Sequence, residues 1–181
     1  MKVKYTILLL LVTGYSTCFA QLQQGNQMLG GSLGFSGSKT TAMIGANYEY
    51  QLPQAELGTF GVGFMGRYWL SSDNIANSVV NSTVVTLASQ INYNFNTIGN
   101  GKFVPFAGIA FGYRYVTTKY TSYDGYSLTA YDQQYKNGFL LWGQGGFRYF
   151  FSRKVAGSLR FGLSNLDFST IEFGIDYKFG K

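Results

Sequence analysis

Few side chains in this 181-residue chain are suited to catalysis. It contains no histidine, a single cysteine (Cys18) and eight aspartates and glutamates. Without histidine, the usual general base for activating a serine or cysteine nucleophile is missing. Ser158 and Asp176 could be proposed as a reactive pair, but ordinary packing inside the protein explains both residues more simply. We therefore predict no catalytic residues and no enzymatic activity.

Metal and nucleotide sites have equally little support. Scattered carboxylates without histidine or cysteine partners would hold at most a weak Ca²⁺, so we predict neither a metal nor another cofactor. Gly61, Gly63 and Gly66 spell GxGxxG, a motif that binds phosphate only where it joins a strand to the start of a helix. Here it lies in a predicted strand flanked by strands. Its glycines are predicted to relieve crowding or to permit bending.

The first twenty residues have the pattern of a secretory signal peptide. Two lysines precede an apolar run from Ile7 to Val12, and small and polar residues lead to Ala20. The run is shorter than the ~20 apolar residues of a membrane-spanning helix. We predict cleavage after Ala20, which divides the chain into a signal peptide (1–20) and one domain (21–181). Because Cys18 lies in the signal peptide, the mature domain carries no thiol.

Charge and composition narrow the class of protein. The net charge is +6, but the basic residues are scattered along the chain rather than clustered, which argues against nucleic-acid binding. Only 12% of residues are charged while 18% are aromatic, and there are 24 glycines but only two prolines. This composition fits a β-sheet with an apolar outer surface.

Alternation of apolar and polar residues with a period of two runs through the mature chain. Near its end, Ile171, Phe173 and Ile175 alternate with Glu172 and Asp176, which is typical of a strand with one apolar face. The same pattern predicts eight strands, at 27–36, 41–50, 59–69, 83–95, 103–116, 138–151, 154–164 and 168–179. An even number of antiparallel strands places both termini at the same end.

The connections alternate in length, as they do in bacterial membrane barrels. Short turns (QLPQAELG, NTIGNGK and SRK) follow the second, fourth and sixth strands, whereas longer loops are predicted at 71–82 and 117–137. Short turns lie on the periplasmic side and long loops outside. The fold class predicted is all-β: an eight-stranded antiparallel transmembrane up-and-down barrel.

The charges on the predicted strands all fall on one face. When the apolar face of each strand is set outward, eight charged residues point inward: Glu49, Arg67, Arg114, Arg148, Arg160, Glu172, Asp176 and Lys178. A soluble sandwich would place its charges on the outer face. Lipid demands the opposite, because a charge facing the middle of the bilayer costs about 2–4 kcal/mol. We therefore expect a lipid bilayer around the barrel.

Outward-facing aromatic residues collect near both ends of the strands. They are Tyr50, Phe60, Phe95, Phe103, Phe151 and Phe179 near the periplasmic boundary, and Phe35, Tyr68, Tyr115 and Phe139 near the outer one. Two such bands are typical of membrane interfaces, although aromatic residues also favour strands in general.

The signal peptide, the alternating strands and the opening GNQMLGGSLGFSGSK resemble the small outer-membrane barrels of the OmpX, OmpW and OmpA type, especially the outer-membrane β-barrel domain and porin-family proteins of Bacteroidetes. The resemblance covers nearly the whole mature chain. It implies an integral protein of a Gram-negative outer membrane, in contact with lipopolysaccharide.

The last strand carries the sharpest local match. Glu172, Gly174, Tyr177 and Phe179 fit the spacing of the C-terminal assembly signal in such proteins, which implies recognition by the barrel-assembly machinery during insertion. Gly180 and Lys181 follow the final phenylalanine, which usually ends the chain, and this departure leaves the register of recognition open.

The lumen and one outer loop are the two places where function could reside. An eight-stranded barrel is just wide enough to be filled by side chains or to hold one small ligand, so the inward charges form either a plug or the lining of a narrow channel for small solutes or ions. The loop at 117–137 surrounds Asp124 with Tyr120, Tyr123, Tyr126, Tyr131 and Tyr135. This loop is predicted either to bind an extracellular protein or to meet lipopolysaccharide headgroups. A non-enzymatic structural, surface-interaction or envelope-maintenance role follows.

Overall fold

The computed structural model describes residues 22–36, 41–55, 57–75, 78–96, 101–122, 137–166 and 168–180. The predicted signal peptide lies outside these ranges. Eight strands close into one antiparallel barrel in sequence order, which confirms the predicted fold. The strands are β1 (Gln27–Ser36), β2 (Thr41–Ala55), β3 (Gly58–Ile75), β4 (Ser78–Asn94), β5 (Phe103–Ser122), β6 (Gly138–Phe150), β7 (Val155–Ser164) and β8 (Phe168–Phe179).

The first and last strands pair with each other and close the sheet. Gln27 lies opposite Phe179 and Ser36 lies opposite Thr170, so the backbone groups along this seam are hydrogen-bonded. A closed sheet can span the hydrocarbon of a membrane because it has no open edge with unpaired backbone groups. Both ends of the barrel domain lie at one end of the barrel, called the proximal end below; the opposite end is the distal end.

Residues 71–75 and 78–82, predicted to belong to a loop at 71–82, are strand instead, so that prediction is wrong. β3 continues to Ile75 and β4 starts at Ser78, with these two residues paired. β4 also pairs with β5 as far as Ser122. Two neighbouring strands therefore hold this segment in place despite the low strand propensity of its serines and asparagines. Together, residues 70–75, 78–83 and 117–122 form a three-stranded extension, the distal sheet.

The proximal connection between β2 and β3 is also shorter than predicted. The stretch QLPQAELG is strand for most of its length, because β2 runs to Ala55 and β3 begins at Gly58. The pairing between them shifts register between Gln51 and Gln54. Pro53 lies inside this irregularity, a position where a strand tolerates its missing N–H group.

The outer wall of the barrel is apolar. Leu33, Phe64 and Ile175, from three different strands, are all more than 60% exposed. Many more large apolar side chains are exposed: Leu29, Phe35, Ile44, Leu70, Leu87, Ile91, Ile109, Phe111, Leu141, Phe161, Leu163, Ile171 and Phe173. Soluble monomers rarely expose so many large apolar side chains together. It makes a belt suited to contact with lipid tails.

No helix in the described part of the chain has the length and apolarity needed to cross a membrane.

Candidate functional site

The lumen contains the predicted charged residues. Seven of the eight are at most 3% exposed: Glu49, Arg67, Arg114, Arg148, Arg160, Glu172 and Asp176. The eighth, Lys178, is half-buried at the proximal end, where its Nζ lies 5.7 Å from the centre of the Phe150 ring. The alternation of strand residues places these side chains inward, and the barrel walls exclude water from most of them.

Arg148 joins three strands across the proximal half of the lumen. Its Nη2 lies 2.8 Å from Glu49 Oε2 on β2, and its Nε lies 3.1 Å from Asp176 Oδ2 on β8. Its Nη1 donates to Asn94 Oδ1 on β4 at 2.5 Å. A planar guanidinium has donors in several directions, and here they reach β2, β4 and β8 at once.

Amide side chains complete the coordination of Glu49. Gln51, Asn92 and Asn94 donate to its two carboxylate oxygens at 2.7, 2.8 and 2.7 Å. With the Arg148 contact, this buried carboxylate accepts four charge-assisted hydrogen bonds, which offset the cost of removing it from water.

A second set of contacts lies next to this one, towards the distal end. Arg67 Nε donates to Glu172 Oε1 at 2.9 Å, and Ser32 Oγ donates to Glu172 Oε2 at 2.7 Å. Arg67 Nη2 donates to Asn47 Oδ1 at 2.9 Å, and Arg160 Nη1 donates to the same oxygen. Two arginines from different strands thus share one amide oxygen.

The two sets together form what we call the charge network. Its three arginines and three carboxylates balance: Arg67, Arg148, Arg160, Glu49, Glu172 and Asp176. Arg148 and Arg160 also lie over the Phe106 ring, at 4.5 and 5.4 Å from its centre, a favourable position for a cation. The network is therefore neutral as a whole.

Inward-facing glycines make room for the long side chains of the network. A Cβ atom on Gly61 would collide with the Glu49 carboxylate, and one on Gly108 would collide with the Asn92 amide. The GxGxxG segment therefore has the role predicted for it, relief of crowding, at Gly61. Gly66 faces outward, where a Cβ would meet nothing closer than a Leu87 methyl group at 3.5 Å.

The lumen also holds a cluster of buried apolar side chains, the distal cluster, most of which lie towards the distal end. Trp69 and Trp142 are its largest members, and both are fully buried. Its full membership is Met43, Met65, Trp69, Val84, Ala88, Ala110, Leu140 and Trp142. Arg114 lies at its edge and donates from Nη2 to the Leu166 carbonyl oxygen at 3.1 Å.

Residues 22–26, which precede β1, lie at the proximal mouth. Leu22 is buried in a small proximal cluster with Met28, Val104, Phe150 and Ala156. Asn96 Nδ2 donates to the Leu22 carbonyl oxygen at 2.9 Å, and the Gly25 amide donates to the Gln51 carbonyl oxygen at 2.9 Å. The segment is therefore anchored at the mouth, with Leu22 and Asn26 buried.

Some buried polar atoms of the lumen have no hydrogen-bond partner among the described residues. They are Ser36 Oγ, Thr86 Oγ1, Asn96 Oδ1 and Gln144 Oε1. Buried polar atoms in native proteins nearly always have a partner, often an internal water. These four atoms mark positions where single waters are expected.

The Ser158–Asp176 pair, which the sequence analysis considered and set aside, does not form in the structure. Asp176 binds Arg148, and Ser158 shows no hydrogen bond to it. In the described part of the chain, no group of three metal-ligating side chains converges. Tyr120 lies on β5, but its side chain and the rest of the predicted contact loop (Tyr123, Asp124, Tyr126, Tyr131 and Tyr135) fall outside the described residues.

The residues of the predicted assembly signal take different positions on β8. Glu172 belongs to the charge network, and Gly174 is half-buried beside it. Tyr177 faces outward, and its ring stacks on Phe179 with the ring centres 6.4 Å apart. The two aromatic residues thus present a small patch on the proximal outer wall.

Sequence reasoning missed most of the uncharged residues of the lumen. Trp69, Met65 and Asn47 lie on the same strand faces as the predicted charges, so alternation alone could have found them. Residues 22–26 gave no such signal, since they precede the first strand.

No family model matches the chain, and no curated protein matches it by sequence. Solved structures do match it in fold. Ail from Yersinia pestis is 12% identical, with 87% of this chain and all of that chain covered at a TM-score of 0.60. OprG from Pseudomonas aeruginosa is 14% identical, with 90% and 100% covered at 0.58. The N-terminal barrel of OprF from the same species is 11% identical, with 87% and 100% covered at 0.56.

At such identities the likeness establishes the fold: a small eight-stranded barrel of the outer-membrane type. The resemblance predicted from the sequence is confirmed at this level. One of the similar structures is Ail in complex with the heparin analogue sucrose octasulfate.

Proposed function

We propose that the mature chain is a non-enzymatic integral barrel of the outer membrane with a largely closed lumen, and that it acts through its distal surface. The observation that carries the closed lumen is the neutral charge network, in which Arg148 on β6 binds Glu49 on β2 across the lumen and also binds Asp176 on β8. The physiological role is then one of surface interaction or envelope maintenance.

The energetics of buried charge support closure. Opening a path through the proximal half would separate Arg148 from Glu49 or Asp176, and breaking one partner from a buried pair costs about 3–5 kcal/mol. In the distal half, Trp69 and Trp142 leave apolar surfaces that water wets poorly, as in hydrophobic constrictions of channels. An ion would therefore have to pass two unlike barriers in series.

Placement in the outer membrane is supported by the belt and the aromatic bands. The exposed leucines, isoleucines and phenylalanines form the lipid contact, and Tyr68, Tyr115 and Phe139 are exposed near the distal boundary, where amphipathic rings favour the interface. Export by a signal peptide at 1–20 and insertion by the assembly machinery acting on β8 belong to this proposal.

The distal sheet is the best candidate for a contact surface. β2 pairs with β3 only as far as Trp69 in the described residues, so no described strand pairs with residues 70–75 on that side. An exposed edge can accept an extended strand from a partner. The complex of the structurally similar Ail with a heparin analogue suggests polyanionic glycans as a second class of partner to test.

A narrow channel for small solutes or ions is the alternative. It is favoured by the polar atoms without a protein partner, notably Thr86 Oγ1 and Gln144 Oε1, because a row of waters through them would make a path. The apolar distal cluster argues against such a row being continuous.

Solute release from vesicles separates the two functions. Refolded protein in liposomes loaded with potassium and a small sugar should release neither faster than protein-free liposomes. Release that scales with the amount of barrel and changes in Arg148→Met would establish the channel. Turnover of labelled lipid A or phospholipid, abolished by one lumen substitution, would contradict the non-enzymatic assignment.

A further inference from the structure

A groove runs along the outer wall of β4, β5 and β6, facing the bilayer. Its volume is about 760 Å³, within the usual range for small-ligand sites. Ser89 on β4 and Gly112 on β5 form its floor. Ser89 is paired with Phe64 on one side and Phe111 on the other, and both of these rings are more than half exposed. The small serine between two phenylalanines creates the depression.

The outer wall becomes more polar beyond the distal end of the groove. Successive outward residues on β5 are Phe111, Tyr113, Tyr115, Thr117 and Lys119. The Tyr113 and Tyr115 ring centres are 4.7 Å apart, so the two rings form one continuous wall. At ~3.3 Å per strand residue, Lys119 lies about 13 Å beyond Tyr115. Along β5 the outward side chains therefore change from the hydrocarbon ring of Phe111 to the phenols of the two tyrosines, the hydroxyl of Thr117 and the ammonium group of Lys119.

This order of side chains matches the order of groups along an anionic lipid, from the acyl tail to the interface and the charged headgroup. Leu87 and Leu141 border the groove opposite Tyr113 and Phe111, their partners on β5, and they present apolar surface that an acyl chain can cover. Tyrosines favour the interface between tails and headgroups. A basic residue just above that level attracts a headgroup phosphate.

A second depression lies on β1, β2, β3 and β8. It is bounded by Leu33, Ala42 and Tyr68, among others, and neither groove is lined by a charged side chain among the described residues. Its lining contains one tyrosine, whereas Tyr113 and Tyr115 form a pair in the first groove. That difference makes the second groove a control.

We propose that the groove over Ser89 is a specific binding site for an acyl chain of a phosphorylated glycolipid of the outer leaflet, with Lys119 at the phosphate. The inference rests on the proposed outer-membrane placement, because only there does the distal end face a leaflet of lipid A. The leaflet at the proximal end would consist of phospholipids.

Native mass spectrometry of the purified mature barrel with added lipid A tests the site. The wild type should retain one lipid A, and Ser89→Phe should reduce retention about tenfold, which corresponds to about 1.4 kcal/mol, because the larger ring fills the depression. Lys119→Gln should weaken lipid A while leaving a dephosphorylated lipid A unchanged. The matched controls, Ala42→Phe in the second groove and Lys154→Gln at the proximal end, should retain lipid A as the wild type does.

Equal retention by Ser89→Phe and wild type, or equal loss in Ala42→Phe, would overturn the proposal. If phosphatidylglycerol displaced lipid A as well as lipid A itself does, the choice of a glycolipid would be overturned. A dimer of the wild type that Ser89→Phe disrupts would show that a second copy of the chain occupies the groove. If Ser89→Phe does not show the heat-dependent gel shift of a folded barrel, Ser89→Leu replaces it. If the barrel conducted ions and still retained lipid A, the closed lumen would be contradicted and the lipid site would stand.

Discussion

The two halves of the lumen are filled by different chemistry. In the proximal half, carboxylates, guanidinium groups and amides contact one another at distances of 2.5 to 3.1 Å. In the distal half, Trp69, Trp142 and their neighbours form a cluster of buried apolar side chains. Both halves stand inside the same apolar wall. The barrel therefore has one outer surface and two kinds of core.

The contrast shows what each core can specify. Hydrogen bonds are directional, so a contact such as Arg148 with Glu49 fixes which strand positions lie across the lumen from each other. Apolar packing tolerates small shifts and substitutions of similar volume. We expect the charge network to set the alignment of the strands and the distal cluster to fill the remaining space. The following substitutions test that division.

The largest effect is expected from Glu49→Ala. This change leaves the Arg148 guanidinium and three amides without their shared acceptor, and removing one partner of a buried pair costs about 3–5 kcal/mol. The free energy of unfolding, measured by urea titration in lipid vesicles, should fall by that amount. A loss below about 1 kcal/mol, the range of an exposed pair, would show that water already screens this half of the lumen.

Met65→Ala tests the other half. Met65 is buried in the distal cluster, and truncation there should cost about 2–3 kcal/mol, the lower part of the range for methionine in a core. Met65→Leu keeps the volume and should lie within about 1.5 kcal/mol of the wild type. If the alanine and leucine variants were equally stable, the distal half would be loosely packed and the contrast between the halves would disappear.

Gly162→Ala should have a smaller effect. A Cβ atom on Gly162 would overlap the Trp142 indole ring, and overpacking of this kind costs about 1–3 kcal/mol. Gly143 is the matched control, because a Cβ there meets nothing closer than a carbonyl oxygen at 4.0 Å. Unfolding by urea should distinguish the two variants, and only Gly162→Ala should alter tryptophan fluorescence. Equal behaviour would mean that Trp142 moves freely in the lumen.

The smallest effect is expected at the proximal mouth. Asn96→Ala removes hydrogen bonds to the Leu22 carbonyl oxygen and to Thr59 Oγ1, at a cost of about 1 kcal/mol. Residues 22–26 should then exchange amide hydrogens faster while β4 and β5 stay protected. Unchanged exchange at Gly25 would indicate that burial of Leu22 alone holds the segment.

The sequence predicted which residues form strands and face the lumen better than it predicted which of those residues contact one another. Alternation with a period of two identified all eight strands and the inward direction of residues such as Glu172, because that signal is local. Which charges meet depends on how strands far apart in sequence align around the barrel. The pairing of Arg148 with Glu49 and Asp176 could therefore not be read from the pattern.

Strand ends and terminal segments were the other limit. Serines and asparagines near Asn81 suggested a loop, but pairing on both sides of β4 keeps this stretch extended, a tertiary effect that propensity does not contain. Similarly, Leu22 precedes the first strand, and only the shape of the proximal mouth explains its burial. The Tyr120 side chain and the loop beyond it lie outside the described residues, so their contacts stay a prediction.

Current through the barrel tests the closed lumen most directly. Recordings of the purified, refolded wild type in planar lipid bilayers should show no unitary steps at moderate voltage, whereas a Glu49→Ala, Trp142→Ala double variant that still folds should show them, since both barriers are removed. Reproducible unitary steps in the wild type, with an amplitude that changes in Arg148→Met, would contradict the account.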